Sequence, residues 1–287
     1  MKTLFELCVP RADVLEGSTR DSDFAADLAQ VINGTAPEEY KDPKVFFSNT
    51  YPTQGLKRLL ENIALRFKDQ GGEASSIFRL DTQYGGGKTH SMLALYHLFS
   101  GATPGDLPGI EEILSGKQVS SFPSVKRVVL VGTKLDPGTP EIKPDGTKVN
   151  TLWGEIAWQL GGKEAYEVIR DSDENATNPG DRLRTLMNRY GPCLILIDEW
   201  VAYARQLRES GDLAGGSFAT QFTFAQALSE AAQAADACVV LISLPLSVVD
   251  ESPRGVNPED YEVGGQRGRD ALLSLKNVID RTSEPMD

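Results

Sequence analysis

The chain has 287 residues, 40% of them hydrophobic, which suffices to bury the core of one large domain or two ordinary ones and argues against a disordered chain. Its 29 basic and 41 acidic residues give a formal net charge of −12, so direct binding to nucleic acid is not expected. Three widely spaced cysteines indicate reduced thiols, and no apolar run approaches the roughly 18 to 20 residues that cross a bilayer, so we expect a soluble cytoplasmic protein.

The first fifty residues are predicted to form an extension that packs on a core formed by residues 51–287. Apolar residues at helical spacing in this extension predict one short helix, with Ser22 and Asp23 as capping candidates and Gly34 at its end. The apolar face of the predicted helix consists of Phe24, Leu28, Val31 and Ile32.

The core alternates between helical and strand patterns. A helix is predicted from Thr53 to Phe67, and the pair Gly71-Gly72 would end it. Two stretches rich in proline, glycine or charge, Asp136 to Asn150 and Ser252 to Gly268, are predicted loops. Helical patterns separate four short apolar runs, which predicts an α/β fold with a parallel sheet and helical crossovers. The four runs are Ile77 to Leu80, Val128 to Val131, Cys193 to Ile197 and Cys238 to Ile242.

The sequence "FRLDTQYGGGKTHSM", from Phe78 to Met92, contains most of a phosphate-binding loop of the form G-x-x-x-x-G-K-[ST]. Thr82 occupies the position of the first glycine. The structural context is complete, because a predicted strand precedes the motif and a helical pattern follows it. Two extra glycines at the tip would absorb the turn geometry that the first glycine normally serves, so the loop is predicted to keep its chemistry.

In such a loop, glycine backbone N–H groups and the helix N-terminus bind phosphate oxygens. Lys88 would reach the β and γ phosphates of a nucleoside triphosphate, and the hydroxyl of Thr89 would bind Mg²⁺. The alternative is a flexible glycine-rich turn that happens to precede Lys-Thr. The candidate nucleotide-binding residues are Thr82, Gln83, Tyr84, Gly85, Gly86, Gly87, Lys88, Thr89 and His90.

The sequence "CLILIDEW", from Cys193 to Trp200, reads as a buried strand that ends in two adjacent acids. Because side chains alternate along a strand, the two carboxylates are expected to diverge. Asp198 would bind the metal, and Glu199 would orient and deprotonate the attacking water. The alternative is an acidic strand end exposed in a loop.

A competing interpretation comes from "VVLVGTKLD", from Val128 to Asp136, which matches a strand followed by the [NT]-K-x-D signature with which GTPases bind guanine. The order of motifs argues against it, because in GTPases this signature follows the metal-binding aspartate, whereas here it precedes Asp198. The GTPase motif D-x-x-G would also need glycine where this chain has Val201. A guanine preference is kept as an analogy only.

Two further residues are candidates for the catalytic group. Ser243 ends the fourth strand and would sense the γ phosphate if that strand lies beside the strand of Asp198; the alternative is a buried serine hydrogen-bonded to backbone. Arg281, near the C-terminal end, would be donated to a neighbouring subunit's γ phosphate; the alternative is a solvated surface arginine. The predicted catalytic residues are Glu199, Lys88, Ser243 and Arg281, with weaker arginine candidates Arg254, Arg267 and Arg269.

The remaining unusual residues are interpreted as structural. His90 and His97 share a helix face without a nearby cysteine, which disfavours a metal site. Trp153 and Trp158 lie in an amphipathic stretch and are predicted core residues rather than a stacking platform for bases.

With these residues in view, the chain resembles the AAA+ branch of P-loop ATPases and, more narrowly, the bacterial and archaeal family of domain of unknown function 499. The resemblance implies a three-layer P-loop NTPase fold of the AAA+/ASCE type, with ATP and Mg²⁺ as cofactors. That family also carries threonine before its "GGGKTH", so Thr82 is a family trait. The similar stretches are "VLEGSTRDSDFAADLAQV", "FFSNTYPTQGLKRLL", "LDTQYGGGKTHSMLALYHL", "TLWGEIAWQLGG" and "LILIDEW".

Family members are longer, and the resemblance implies a helical lid and further domains after "VIDRTSEPMD", through which subunits would form a homo-oligomer. Their genes tend to lie beside those of DNA methyltransferases and helicases in clusters for defence against phage, which implies such partners. The expected function is Mg²⁺-dependent ATP hydrolysis that drives a conformational change in a larger defence or DNA-processing assembly. The alternatives are an ATP-binding switch with little turnover, a GTP-binding protein, and a scaffold that is inert without its lid.

Overall fold

The structure is a computed structural model, and it describes residues 15, 26–68, 74–82, 87–245 and 263–286. Its centre is a five-stranded sheet with the strand order β2-β5-β6-β1-β7, in which every neighbouring pair is parallel. A separate antiparallel hairpin, β3-β4, lies between β2 and β5 along the chain. The strands are β1 Ile77–Thr82, β2 Lys126–Val131, β3 Glu141–Ile142, β4 Lys148–Val149, β5 Cys193–Asp198, β6 Cys238–Pro245 and β7 Glu284–Met286.

Helices connect the strands and cover the sheet. In the described ranges they are α1 Leu28–Ile32, α2 Glu38–Lys41, α3 Pro43–Asn49, α4 Gln54–Lys68, α5 Lys88–Leu98, α6 Ile110–Ser115, α7 Leu152–Glu167, α8 Arg170–Glu174, α9 Arg182–Tyr190, α10 Trp200–Ala204, α11 Phe218–Ala234 and α12 Gly265–Ile279.

The sheet buries both of its faces, because alternate residues of one strand enter different hydrophobic clusters. In β5, Ile195 and Ile197 pack in the cluster formed with α7, α9, α11 and α12, whereas Leu194 and Leu196 pack with α4 and α5. Helices therefore lie on both sides of a parallel sheet, and the predicted α/β class is confirmed. All four predicted strands are present.

The structure also contains strands that the sequence did not predict. The short edge strand β7 pairs with β1 and includes Pro285. Its sequence contains no apolar run from which a strand could be predicted. The hairpin β3-β4 falls inside the segment Asp136 to Asn150, which was predicted to be a loop throughout. Two-residue strands are too short to show a periodicity, which explains this error.

The N-terminal segment packs against the same face of the sheet as α4 and α5. Leu28, Val31, Phe46 and Phe47 are buried in that hydrophobic cluster. The predicted short helix exists as α1, but Asp27 caps it by accepting from the N–H groups of Ala29 and Gln30, not the predicted Ser22 and Asp23, which lie outside the described residues together with Phe24. Ile32, placed on the buried face by the prediction, is 41% exposed.

The predicted helix Thr53 to Phe67 is confirmed as α4, while Gly71-Gly72 lies outside the described residues. The order of the strands positions the site, because β6 lies between β1 and β5 and all carboxyl ends of a parallel sheet meet at one edge. The last residues of β1, β5 and β6 therefore lie at this edge.

Candidate functional site

The described part of the predicted phosphate loop consists of Thr82 at the end of β1 and Gly87 to His90 at the start of a helix. Gly87 has φ of 81°, in the left-handed region that favours glycine, and it is the N-cap residue of α5. A Cβ built on Gly87 would meet no atom of the described residues within 4 Å. Lys88 and Thr89 form the first turn of α5, and the N-terminus of a helix is the position where backbone N–H groups and the helix dipole favour an anion. The tip residues Gln83, Tyr84, Gly85 and Gly86 lie outside the described residues.

The first turn of α5 contacts the end of β5 through side chains. The hydroxyl of Thr89 donates a hydrogen bond to Oδ2 of Asp198 at 3.0 Å. Asp198 is 3% exposed and is the last residue of β5. The structure therefore brings together Thr89 and Asp198, the two residues predicted to bind a metal.

Ser243 completes the hydrogen bonding of this carboxylate from the neighbouring strand β6. Its hydroxyl donates to Oδ1 of Asp198 and accepts from the backbone N–H of Glu199 at 3.1 Å. Ser243 is 2% exposed, so each carboxylate oxygen of Asp198 has a hydroxyl partner in a protected position. The hydroxyl proton of Ser243 is occupied by Asp198 in this arrangement, which corresponds to a positioning role rather than to the predicted contact with a phosphate.

Glu199 leaves the strand in an unusual backbone conformation. Its φ and ψ are 55° and 37°, the left-handed region that non-glycine residues rarely adopt, and it is the N-cap residue of α10. The expected divergence of Asp198 and Glu199 is present, but its cause is this backbone turn and not strand alternation, because β5 ends at Asp198. The side chain of Glu199 reaches the exposed surface at the carboxyl edge of the sheet.

The loop after β2 holds Glu199 from the other side. The hydroxyl of Thr133 donates a hydrogen bond to Oε2 of Glu199. Its neighbour Gly132 donates its backbone N–H to the carbonyl of Asp198 at 2.8 Å. A Cβ on Gly132 would lie 2.1 Å from the carbonyl oxygen of Glu199, so only glycine permits this close approach.

In the sequence, Thr133 belongs to the segment that matches a guanine signature, an interpretation kept only as an analogy. In the structure Thr133 binds Glu199, and the ammonium group of Lys134 pairs with Asp27 at 3.2 Å. The strand β2 that carries this segment is separated from β1 by β5 and β6. A polar residue directly after the strand that neighbours "CLILIDEW" was the available signal for the contact with Glu199.

His90 connects the candidate loop to the N-terminal segment. Its Nε2 lies 3.0 Å from Oγ1 of Thr50, and its ring stacks on Phe46 with 4.6 Å between centroids. Burial lowers the pKa of His90. One turn further, His97 donates from Nε2 to the carbonyl oxygen of Tyr40 at 2.7 Å, and burial also lowers its pKa although this carbonyl acts in the opposite direction. Both rings therefore fasten the N-terminal segment to α5.

Among the predicted arginines, Arg281 lies away from this edge. Arg281 is exposed just before β7, and because Glu284 of β7 pairs with Phe78 of β1, Arg281 lies near the amino edge of the sheet. It cannot reach the site of its own chain, and its donation to a neighbouring subunit stays a prediction. Arg267 donates to the carbonyl of Arg205, Arg269 donates to Gln266, and Arg254 lies outside the described residues.

The tryptophans occupy the positions that were predicted. Trp153 is fully buried and packs on Phe224 with 5.1 Å between ring centroids. Trp158 is partly buried against the same cluster, with Nζ of Lys143 lying 4.7 Å from its ring centroid. Their assignment to the core is therefore confirmed.

The fold and site define a class: an α/β protein with a helix-covered parallel sheet, whose carboxyl edge carries a glycine turn, a threonine–aspartate contact and a left-handed glutamate. The sequence model of the DUF499 N-terminal domain family matches residues 5–281, and the chain belongs to this family. No curated protein and no solved structure matches the chain. Within the described ranges, no helix is both long and apolar enough to cross a membrane.

Proposed function

We propose that the protein is a P-loop NTPase of the AAA+/ASCE type that binds ATP with Mg²⁺ and hydrolyses it. The observation that carries this proposal is the 3.0 Å hydrogen bond between Thr89 in the first turn of α5 and Asp198 at the end of β5, across the intervening strand β6. This contact joins the two elements that must share one triphosphate and its metal.

The residues present fit a magnesium ion. A hydroxyl and a carboxylate that already touch supply the oxygen donors that this hard cation prefers, and both lie at a helix N-terminus suited to phosphate. Thr89 and Asp198 would hold the metal, and Lys88 would bind the phosphates beside it. When bound, the ion neutralises charge on the phosphate oxygens. Ser243 keeps both acids in place through its bonds to the Asp198 carboxylate and the Glu199 backbone.

Glu199 is proposed as the base that orients and deprotonates the attacking water. Its carboxylate is restrained by Thr133 in the structure, so it must leave this partner to act on a water at the γ phosphate. This restraint also supports the second candidate, an ATP-binding switch with little turnover, because a carboxylate held by Thr133 does not activate water. A guanine preference is less well supported, since Thr133 and Lys134 already bind Glu199 and Asp27.

The wider role is proposed from the family resemblance: hydrolysis drives a conformational change in a larger assembly for phage defence or DNA processing. DNA methyltransferases and helicases are the proposed partners. Arg281, exposed near the amino edge, is available to complete the site of a neighbouring copy in a homo-oligomer.

Binding and steady-state hydrolysis of ATP and GTP, measured for the wild type, Lys88→Ala and Glu199→Gln, separate these candidates. The ATPase proposal expects turnover that is lost in both variants, with ATP preferred. Tight ATP binding without turnover in the wild type would establish the switch instead. A preference for GTP would support the guanine interpretation, and binding of neither nucleotide would leave a scaffold.

A further inference from the structure

A cavity of about 300 Å³ opens beside the candidate site, at the carboxyl end of β2. The loop after β2, the hairpin β3-β4 and the start of α7 surround it, and Tyr203 of α10 contributes from below. This volume is at the small end of ligand pockets and suits one side chain or a small organic molecule. Its apolar floor includes Val149, Leu152 and Tyr203, all almost fully buried.

The polar lining carries more negative than positive charge. Asp136, Glu141 and Glu155 line the cavity, whereas Lys134 is the one ammonium group among its lining residues. The ammonium group of Lys134 is paired with Asp27, outside this lining. Charge complementarity therefore favours a cationic ligand in the cavity.

Asp136 is the carboxylate with capacity left for such a ligand. Its Oδ1 accepts from the backbone N–H of Gly138 at 2.8 Å, and this bond together with that of Thr139 lowers the pKa of Asp136. Within the described ranges, no cation pairs with Asp136. Glu141 and Glu155, by contrast, share Lys143, whose Nζ lies 2.8 Å and 2.6 Å from their carboxylate oxygens.

Tyr203 provides an independent indication of a ligand. The residue is only 2% exposed and lines the cavity, yet its hydroxyl has no hydrogen bond to any residue in the described part of the chain. A tyrosine hydroxyl that makes no hydrogen bond within the protein can donate to or accept from a ligand in the cavity. The hydroxyl stays neutral because burial raises the pKa of Tyr203, with the charges of Asp173 and Asp136 acting in the same direction.

Two of the segments that line this cavity, the loop after β2 and helix α10, also determine the position of Glu199. Tyr203 lies one helical turn after Glu199 in α10, and Asp136 lies three residues after Thr133, which binds the Glu199 carboxylate. Gly132 joins the segments directly, since a Cβ on it would lie 2.1 Å from the Glu199 carbonyl and 3.2 Å from Cβ of Tyr203. A ligand that bridges Asp136 and Tyr203 therefore holds the arrangement in which Thr133 restrains Glu199.

We propose that this cavity binds a guanidinium or ammonium group on a short aliphatic stem, with the cation at Asp136 and Tyr203 and the stem on Val149 and Leu152. Occupancy lowers ATP turnover by keeping Glu199 on Thr133, and this second part rests on the proposed function. The same chemistry is available from a free diamine or guanidine and from an arginine or lysine side chain of a partner protein.

Calorimetric titration of the nucleotide-free protein with butylguanidinium tests the site without depending on hydrolysis. We expect saturable binding in about the millimolar range or tighter, as the small size of the ligand permits, and none of butylurea, its neutral counterpart. Asp136→Asn is expected to weaken binding about tenfold through loss of a charge-assisted hydrogen bond, and Tyr203→Phe less. The matched control is Glu174→Gln, an acid lining a different surface cavity, which should not change the affinity.

A short acetylated peptide with a single arginine distinguishes the two sources of the ligand. Tighter binding of the peptide supports a partner side chain, and tighter binding of butylguanidinium supports a free small molecule.

Absence of saturable binding to the folded wild type, or equal binding by wild type, Asp136→Asn and Tyr203→Phe with unchanged circular dichroism, would overturn the proposal. If the ligand binds as expected but ATP turnover is absent without it, the site stands and the proposed function fails.

Discussion

The two edges of the central sheet differ in what their polar side chains do. At the carboxyl edge, the hydroxyl groups of Thr89 and Ser243 donate hydrogen bonds to the two carboxylate oxygens of Asp198. At the amino edge, the guanidinium of Arg66 donates hydrogen bonds to the backbone carbonyls of Ala74 and Ala235. The buried thiols of Cys193 and Cys238 lie close to this group. Side chains that hydrogen-bond only to other side chains can exchange those bonds for bonds to a ligand. Side chains that hydrogen-bond to the backbone stabilise the fold instead.

The largest expected effect is at the carboxyl edge. Asp198→Asn removes the charge proposed to hold the metal while nearly preserving shape, so we expect the affinity for ATP in the presence of Mg²⁺ to fall about a hundredfold. Isothermal titration with and without Mg²⁺ measures this change. Asp236→Asn, an exposed aspartate near the amino edge, is the matched control and should leave affinity unchanged. A loss that is equal in the two variants would contradict the assignment.

At the amino edge the expected effect is on stability instead. Arg66→Ala leaves two carbonyls without their donor in a region where Arg66 is 6% exposed, so the free energy of unfolding should fall by about 2 kcal/mol. Urea unfolding measures it, and exposed Arg184→Ala should change stability by less than about 0.5 kcal/mol. Nucleotide affinity of folded Arg66→Ala should equal that of the wild type; a large change there would remove the distinction between the edges.

A smaller effect is expected from the restraint on Glu199. Thr133→Val keeps the shape of the side chain but removes the hydroxyl that binds Glu199, so basal hydrolysis should rise about threefold, the equivalent of one modest hydrogen bond. A steady-state ATPase assay measures the change, with exposed Thr185→Val as the control. A tenfold or larger loss of activity would show that Thr133 positions Glu199 for catalysis.

The smallest effect concerns the attachment of the N-terminal segment. Burial lowers the pKa values of His90 and His97, so the folded protein favours their neutral forms. Their contribution to stability is present above the ordinary histidine pKa of about 6.5 and is lost as the pH falls through that value towards the lowered pKa values. The urea midpoint should decrease slightly from pH 7.5 to pH 5. The double variant His90→Gln, His97→Gln should show a flatter profile, and an equally steep one would exclude the histidines as the cause.

The parts of this molecule that follow from local sequence were predictable. The strand before Gly87 and the helix after it are fixed by a short hydrophobic run, a glycine turn and helical spacing, and the strand ending in Asp198 is an equally local pattern. Since carboxyl ends of parallel strands meet at one edge, the meeting of Thr89 and Asp198 followed from the fold class.

Long-range and strained features were not predictable in the same way. Thr133 and Glu199 are 66 residues apart, so their contact depends on the neighbouring positions of β2 and β5, which the sequence leaves open. The left-handed conformation of Glu199 could not be predicted, because the residue is not a glycine and its surroundings impose this conformation. The strand β7 forms only because α12 returns the chain to β1.

The most direct test of the central claim is the affinity for ATP with Mg²⁺ of the wild type and Lys88→Ala, measured side by side by calorimetry. The account predicts saturable binding by the wild type and a loss of about a hundredfold or more in the variant, because Lys88 begins the helix whose N-terminus is proposed to bind the phosphates. Equal affinity in the two proteins, both shown to be folded, would contradict the assignment of this edge of the sheet as a nucleotide site.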